Sequence, residues 1–325
     1  MATAQVPYRS PPAGGVPARD GQGVARRNAA RSLGLVVALG VLACVVLASV
    51  AVGSKGISPA VVWDALFHRQ PIEDHQIVWN WRVPRTIVGI VVGAALGLSG
   101  ALIQALTRNP LADPGILGVN AGAAFAVSLG VAAFGVGGIS GYMWFAFAGA
   151  ILVTVAVYLI GAAGRGGADP VRLVPAGVAM AAVLTGLVNA LMLMQPRTFD
   201  QMRYWQAGSI VGRGLDVVWP VLPFIVAGVV LAAVAARPLN AIGLGEDMAS
   251  ALGANVMRTR IIVIVAVTLL AGGATAIAGP IIFIGLMIPH VARWIVGPDQ
   301  RWIIAYTVVL APILLLVSDI AGRLV

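Results

Sequence analysis

The sequence PGILGVNAGAAFAVSLGVAAFGVGGISGYMWFAFAGAILVTVAVYLIGAAG, residues 114–164, contains 51 consecutive positions without a charged side chain. A helix needs about 20 apolar residues to cross the hydrocarbon core of a bilayer. The stretch is long enough for two crossings, and we expect it to divide at the glycine-rich break at 135–141. It therefore predicts an all-α fold, a polytopic bundle of membrane helices.

The composition of the whole chain agrees with this prediction. Of 325 residues, 59% are hydrophobic and 10% are charged, whereas soluble domains carry about 25% charged residues. The span after Pro280 is predicted to be short and partly re-entrant, because proline cannot continue a helix. Nine apolar segments are predicted as membrane spans, at about 33–53, 86–106, 114–134, 142–163, 173–194, 217–236, 261–279, 281–296 and 302–323.

The basic residues indicate the orientation of the chain. Residues 1–31 are rich in Pro, Gly and Ala and carry five arginines, so we predict a disordered cytoplasmic tail before one transmembrane domain, residues 32–325. The first apolar run is expected to be retained as an anchor. With a cytoplasmic N-terminus, 13 of the 21 basic residues lie inside and 8 outside, as the positive-inside rule expects. The net charge of +9 thus reflects topology, and no nucleic-acid partner is expected.

Residue counts disfavour enzymatic chemistry. The single lysine, Lys55, does not follow the glycine pattern of a phosphate-binding loop, so the chain is not an ATPase by itself. The single cysteine, Cys44, allows neither an internal disulfide nor a thiolate metal cluster. We expect no catalytic site and no metal site, since no trusted metal spacing occurs in the outer loop that carries Asp64, His68, Glu73, Asp74 and His75.

Charged residues lie at the ends of the spans, which disfavours a carrier coupled through a carboxylate in the membrane. Sodium coupling through backbone carbonyls stays open. Asp319 lies four residues before Arg323, and the two are expected to pair. Close helix packing is predicted for one face of the second span, where small residues recur every four positions at Gly89, Gly93 and Gly97.

Two cytoplasmic segments differ from ordinary loops. In residues 104–118, Asn-Pro and Asp-Pro pairs end one helix and begin the next. In residues 237–253, Asn240 can cap a short helix, Glu246 and Asp247 favour the positive N-terminus of another, and Gly253 can end it. Two short helices outside the membrane predict a surface for docking.

Five short motifs occur in an order that resembles the permease family of iron-siderophore, haem and vitamin B12 ABC importers, the FecCD type. The resemblance covers about residues 33–325. The motifs are RVPRT at 82–86, NPLADPG at 109–115, LGE at 244–246 with ALG at 251–253, FIGLMIPH at 283–290 and SDIAGR at 318–323.

The resemblance implies the permease subunit of a type II ABC importer in the cytoplasmic membrane. Such a subunit has ten membrane helices, pairs with itself or with a paralogue, and works with two ATP-binding subunits and an extracytoplasmic substrate-binding protein. ATP and Mg would be held by those partner subunits, and no cofactor by this chain. The expected cargo is an iron chelate, foremost a ferric siderophore, while haem and vitamin B12 stay open.

The resemblance also implies roles for individual residues. Asn109 and Leu111 fall at a cytoplasmic gate, and Arg82, Arg85 and Arg323 fall where the binding protein docks. The coupling surface towards the ATPase, at about residues 239–253, would include Leu239, Asn240, Leu244, Gly245, Glu246, Ala251, Leu252 and Gly253.

The chain departs from the family pattern in two places. The family's second gate is a polar loop. This chain has ADPVR at 168–172 instead, so we predict no gate at these residues. The sequence also stops at Val325, before the tenth helix of the family, and we expect a truncated chain rather than a missing helix.

Overall fold

The computed structural model describes residues 21–163 and 170–324, which form helices joined by short loops. The α-helices are α1 Gly21–Ala51, α2 Pro59–Phe67, α3 Glu73–Ile77, α4 Val83–Thr107, α5 Val119–Phe134, α6 Ile139–Ala162, α7 Pro170–Met194, α8 Pro196–Gln206, α9 Leu215–Ile242, α10 Glu246–Ala251, α11 Val256–Ala278, α12 Ile284–Val296 and α13 Gln300–Leu324. A π-helical turn, Val78–Arg82, joins α3 to α4.

The predicted membrane fold is confirmed. Among the described residues, seven helices are long and apolar enough to cross a bilayer: α1, α6, α7, α9, α11, α13 and the continuous helix that ends in α4. The two shorter apolar helices, α5 and α12, fall in the remaining predicted spans. The first helix begins at Gly21, inside the segment predicted as a tail, and residues 1–20 lie outside the described residues.

The core of the bundle forms around α4 and α11, whose residues are mostly buried. α13 and α12 pack along α4, while α9 and α6 pack along α11. α1 lies at one edge against α13, and α7 and α8 lie at the other against α5. We name the two ends of the bundle after the orientation that the basic residues predict. The inner end holds α10 and the loop 297–299, and the outer end holds α2, α3 and α8.

The three spaced glycines lie between α4 and α13. A Cβ atom added to Gly89 would lie 2.5 Å from Leu316 Cδ2, and one added to Gly93 would lie 2.8 Å from Pro312 Cα. A Cβ on Gly97 would lie 2.5 Å from Ala311 Cβ. Real Cβ atoms do not approach so closely, so glycine at these positions lets the two helices pack with their backbones near each other.

The predicted span 114–134 begins with a separate turn. The Asp113 carboxylate accepts a hydrogen bond from the Gly115 N–H at 2.7 Å and caps a 3-10 helix, Pro114–Leu117. Gly118 then adopts φ +75°, and α5 begins at Val119. The chain changes direction here because a left-handed residue interrupts the helical hydrogen-bond ladder, which glycine does without a Cβ penalty.

Two helix ends lie inside the bundle. α5 and α11 both run from the inner towards the outer end, yet the Thr275 hydroxyl, near the last turn of α11, donates to Asn120 Oδ1 in the first turn of α5 at 2.9 Å. The start of one parallel helix and the end of the other therefore share one level. Residues 279–283, which follow α11, are non-helical, and we call them the broken segment.

α12 also begins deep in the bundle. A Cβ added to Gly100, far along α4, would lie 1.9 Å from the carbonyl oxygen of Gly285, in the first turn of α12. With 13 residues at 1.5 Å each, α12 is about 20 Å long. That length is short of the roughly 30 Å hydrocarbon core. The prediction of a short span after Pro280 is confirmed.

Candidate functional site

At the inner end, α10 is framed by two glycines in the left-handed half of backbone space. Gly245 has φ +110° immediately before the helix, and Gly253 has φ +82° after it. Glu246 and Asp247 occupy the first turn, where their negative charges interact favourably with the free N–H groups. The sequence-based interpretation of these four residues agrees with the local structure, while their role in coupling stays a prediction.

The surface around α10 is apolar and exposed. Leu244, just before α10, is 68% exposed, and Leu252, just after it, is 63% exposed. Met248, on α10 itself, has about half of its surface open. Ala251 is also exposed. Leu239, in contrast, is fully buried in the core, so it anchors this region from inside and does not present itself at the surface. An exposed group of apolar side chains of this kind is suited to a protein partner.

The predicted role of Asn240 as a helix cap is wrong. α9 continues through Pro238 to Ile242, so Asn240 lies in its last turns and no separate short helix begins there. The Asn240 amide donates to Asp299 Oδ1 at 2.8 Å and its oxygen accepts from the Gln300 N–H at 2.8 Å. Asn240 therefore joins the end of α9 to the start of α13.

Asp299 is the centre of that polar junction. Its carboxylate accepts hydrogen bonds from the Arg301 guanidinium, with Nη2 at 2.9 Å from Oδ2, as well as from Asn240. These bonds, the one from Arg301 foremost, lower the pKa of Asp299 to about 2, although partial burial opposes them. The Asp299 carboxylate is therefore ionised at neutral pH.

An ion pair holds α10 to the bundle. Arg260, in the first turns of α11, donates through Nη2 to Glu246 Oε1, and the Arg260 side chain is only 9% exposed. Glu246 is partly exposed. A charge buried to this degree needs its partner, because removing one member leaves the other desolvated and unpaired. α10 is thereby fixed to α11.

The two predicted gate residues form a tight turn after α4. Asn109 Oδ1 accepts a hydrogen bond from the Leu111 N–H at 2.9 Å, which closes an Asx turn, and the Leu111 side chain is 74% exposed. Arg108, just before, adopts φ +51° and caps α4. We assigned no gate to the segment 168–172. Residues 168–169 lie outside the described residues, and the side chains of residues 170–171 are not described.

At the outer end, two of the predicted docking arginines bind the end of α1. Arg82 donates to the carbonyl oxygens of Val50 at 3.1 Å and Ala51 at 2.5 Å, and Arg323 donates to those of Ser49 at 2.6 Å and Val52 at 2.9 Å. These are carbonyls that a helix C-terminus leaves without partners. The guanidinium groups therefore hold α1 against the outer end of the bundle.

Arg85 differs from the other two. It pairs with Asp319, its Nε lying 2.9 Å from Oδ1, and Asp319 also accepts from Arg323, as the spacing of four predicts. The Arg85 side chain is 22% exposed, whereas that of Arg323 is 5% exposed. The role of all three arginines in docking stays a prediction, and Arg85 is the best placed of them to reach a partner.

The outer loop with acidic and histidine residues is organised by pairs. Lys55 Nζ lies 2.9 Å from Glu73 Oε1 and 2.8 Å from Asp74 Oδ1, and these carboxylates raise the pKa of Lys55, Asp74 foremost. His75 is buried, and its Nδ1 accepts a hydrogen bond from the Gln70 N–H at 3.0 Å.

Sequence reasoning missed Arg260, Asp299 and the interior position of the broken segment. The Gly279-Pro280 pair signalled that a helix ends, but not at what depth. Arg260 carried no local signal, because its partner lies 14 residues away on another helix. Asp299 and Asn240 are 59 residues apart, and only the packing of α9 beside α13 brings them together.

The sequence of this chain matches a known protein family. The sequence profile of the FecCD transport family matches residues 41–325. The chain is 49% identical over 278 residues to the ferric enterobactin transport system permease protein FepD of Escherichia coli (strain K12), covering 85% of this chain and 83% of that protein. It is 38% identical to the probable siderophore transport system permease protein YfiZ of Bacillus subtilis (strain 168), covering 92% and 90%.

Among solved structures, the fold is similar to that of a metal-chelate type ABC transporter in an inward-facing conformation. The TM-score is 0.76 at 25% sequence identity, with 89% of each chain covered. The sequence match extends over nearly the whole described bundle, including both polar ends. The chain belongs to the FecCD transport family.

Proposed function

We propose that this chain is the membrane-spanning permease subunit of an ATP-binding cassette importer that carries an iron chelate, foremost a ferric siderophore, across the cytoplasmic membrane. The observation that carries the proposal is the family match over residues 41–325, together with 49% identity to a ferric enterobactin permease. Haem or vitamin B12 is the alternative cargo. The chain is not expected to be an enzyme or to bind a cofactor.

The inner end supports a partner that hydrolyses ATP. Exposed leucines flank α10, Leu244 before it and Leu252 after it, and Glu246 ties the helix to α11 through Arg260. A displacement of α10 would therefore be passed to α11, whose far end meets the broken segment inside the bundle. We propose that two ATP-binding subunits, holding ATP and Mg, dock here and drive alternating access.

A second permease would cover the exposed face of α7. Most of this helix is open in the single chain, including the polar side chains of Thr185 and Asn189. Polar groups are costly against lipid. The proposed assembly is a homodimer or a heterodimer with a paralogue, with a substrate-binding protein at the outer end and the N-terminus in the cytoplasm, in the orientation that the basic residues favour.

Affinity purification of the intact chain from its native membrane tests the assembly. The proposal expects an ATP-binding subunit to co-purify, and expects cellular uptake of the iron chelate to stop when ATP is depleted. A chain purified without such a subunit, together with uptake insensitive to ATP depletion, would instead indicate an ATP-independent carrier.

A further inference from the structure

An apolar groove of about 220 Å³ lies between α6 and α11. We call it the α6–α11 groove. Val155 of α6 lines it together with Ile261 and Val265 of α11, and these three side chains are 43% to 49% exposed. The groove therefore opens to the surroundings of the bundle and does not belong to its closed core.

The groove lies in the half of the membrane next to the inner end. α6 and α11 touch closely at Gly272, where an added Cβ atom would lie 3.2 Å from the Cβ of Ala150. The groove is lined by α6 residues that follow Ala150 and by α11 residues that precede Gly272. Because α11 runs from the inner towards the outer end and α6 runs the opposite way, both sets lie on the inner side of this contact.

The length of the groove fits a lipid acyl chain. On α11 the lining extends from Ile261 to Leu269, which is about 12 Å at a rise of 1.5 Å per residue. One leaflet contributes about 15 Å to the hydrocarbon core of a bilayer. An acyl chain that lies along α11 is therefore in contact with the groove over most of its length.

A positive side chain lies at the inner end of the groove. Arg258 precedes Ile261 by three residues and Val265 by seven, so it shares their helix face. It is exposed and forms no ion pair with any residue that the structure describes, whereas Arg260 pairs with Glu246. Long side chains on a helix lean towards its N-terminus. The Arg258 guanidinium therefore extends beyond the groove, to the level of the lipid headgroups.

Tyr158 adds a hydrogen-bond donor at the same end of the groove. Its hydroxyl lies 3.6 Å from the Met257 sulfur atom, in the first turn of α11. A thioether sulfur is a weak acceptor, so the hydroxyl proton is available to a stronger one. The apolar groove thus ends at a cation and at a hydroxyl donor.

We infer that the α6–α11 groove binds an anionic phospholipid of the inner leaflet. One acyl chain lies in the groove, Arg258 binds the phosphate, and Tyr158 donates to a phosphate or ester oxygen. A guanidinium forms charge-assisted hydrogen bonds with phosphate oxygens, and basic side chains beside a membrane helix attract anionic lipids. The bound lipid braces the first turns of α11, where Arg260 attaches α10.

Photo-crosslinking locates the lipid. The intact complex is placed in phosphatidylcholine liposomes with a trace of phosphatidylglycerol that carries a photoreactive group in one acyl chain, and mass spectrometry identifies the cross-linked peptides. Cross-links in residues 151–158 and 261–269 are expected to be about fivefold more frequent than on the exposed part of α9 at 226–234. Photoreactive phosphatidylcholine is expected to lose most of this preference. The same preference for both lipids would overturn the anionic selectivity, and no preference for either would overturn the site.

Charge and shape variants test the two parts of the site. Arg258→Gln is expected to reduce cross-linking of phosphatidylglycerol in the groove about fivefold. Its matched control is Arg26→Gln, an exposed arginine at the inner end of α1. Val265→Trp fills the groove and is expected to reduce cross-linking of both lipids there, whereas Val230→Trp, on the exposed face of α9, is not.

Two results would contradict these assignments. Cross-linking of Arg258→Gln equal to that of Arg26→Gln would remove the headgroup contact, and cross-linking of Val265→Trp equal to that of Val230→Trp would remove the groove. Glycerol phosphate, which has no acyl chain, is not expected to compete with the lipid, and competition by it would overturn the lipid as the ligand. None of these readouts needs ATP or an iron chelate, so they are independent of the proposed import.

Discussion

Arg260 donates to the Glu246 carboxylate across 14 residues of sequence, and this ion pair joins α10 to the first turns of α11. α11 is central to the core and ends beside the broken segment. The pair is thus a direct mechanical connection between an exposed surface at the inner end and the interior of the bundle.

Arg260→Gln is expected to uncouple the complex. With the ion pair removed, α10 loses its attachment to α11, so ATP hydrolysis by the assembled complex is retained while chelate uptake falls at least fivefold. The control is Arg26→Gln, which changes an exposed arginine at the inner end of α1. Parallel assays of phosphate release and uptake in liposomes check the prediction, and equal uptake by the two variants would contradict it.

Arg82→Ala is expected to destabilise the protein by about 3 kcal/mol, because it removes charge-assisted hydrogen bonds to the carbonyls at the end of α1. Arg85→Ala should cost about 1 kcal/mol, since Asp319 keeps Arg323 as a partner. Thermal unfolding in detergent measures both.

Affinity for the substrate-binding protein tests the docking role of Arg85 separately from its effect on stability. Arg85→Ala is expected to weaken that affinity at near-normal stability. If instead Arg85→Ala leaves the affinity unchanged, Arg85 has no docking role, and its pairing with Asp319 is structural.

Gly93→Ala tests the packing of α4 on α13. The added methyl group would meet the Pro312 backbone at 2.8 Å, so the two helices must separate, at a cost of about 1 to 3 kcal/mol. Gly40→Ala, in α1, is the control, because a Cβ there has open space and favours the helix by about 0.5 to 1 kcal/mol. The melting temperature should fall for Gly93→Ala, and it should stay unchanged or rise for the control variant.

Asp299 gives a prediction for acid stability. Its pKa in the folded protein is lowered to about 2 from an ordinary 3.8, so its ionised form stabilises the fold. That contribution is fully present above about pH 4 and is lost as the pH falls towards 2. Asp299→Asn should therefore lower stability by about 1 to 3 kcal/mol at pH 7. The difference from the unmodified protein should shrink between pH 4 and 2, and a constant difference over that range would contradict the assignment.

Local patterns in the sequence predicted the membrane class, the nine apolar segments and the chemistry at both ends of α10, because hydropathy, capping and glycine geometry act over a few residues. The pairing of Asp319 with Arg323 was predictable for the same reason. Asn240 was misread as the cap of a separate short helix, whereas α9 continues without a break to Ile242. The partners of Arg82 lie 27 to 32 residues away, and tertiary packing alone brings them together.

We propose that an ATP-hydrolysing partner drives transport by this chain, and uptake into liposomes decides whether it does. The complex of this chain with its partner permease, ATP-binding subunits and binding protein is reconstituted, and entry of radioactive iron as ferric enterobactin is measured with ATP or with a non-hydrolysable analogue. Iron is expected to accumulate with ATP and Mg and not with the analogue, and accumulation is expected to be lost in Gly245→Val and Glu246→Ala. Equal accumulation with ATP and the analogue, or normal ATP-driven uptake by both variants, would contradict it.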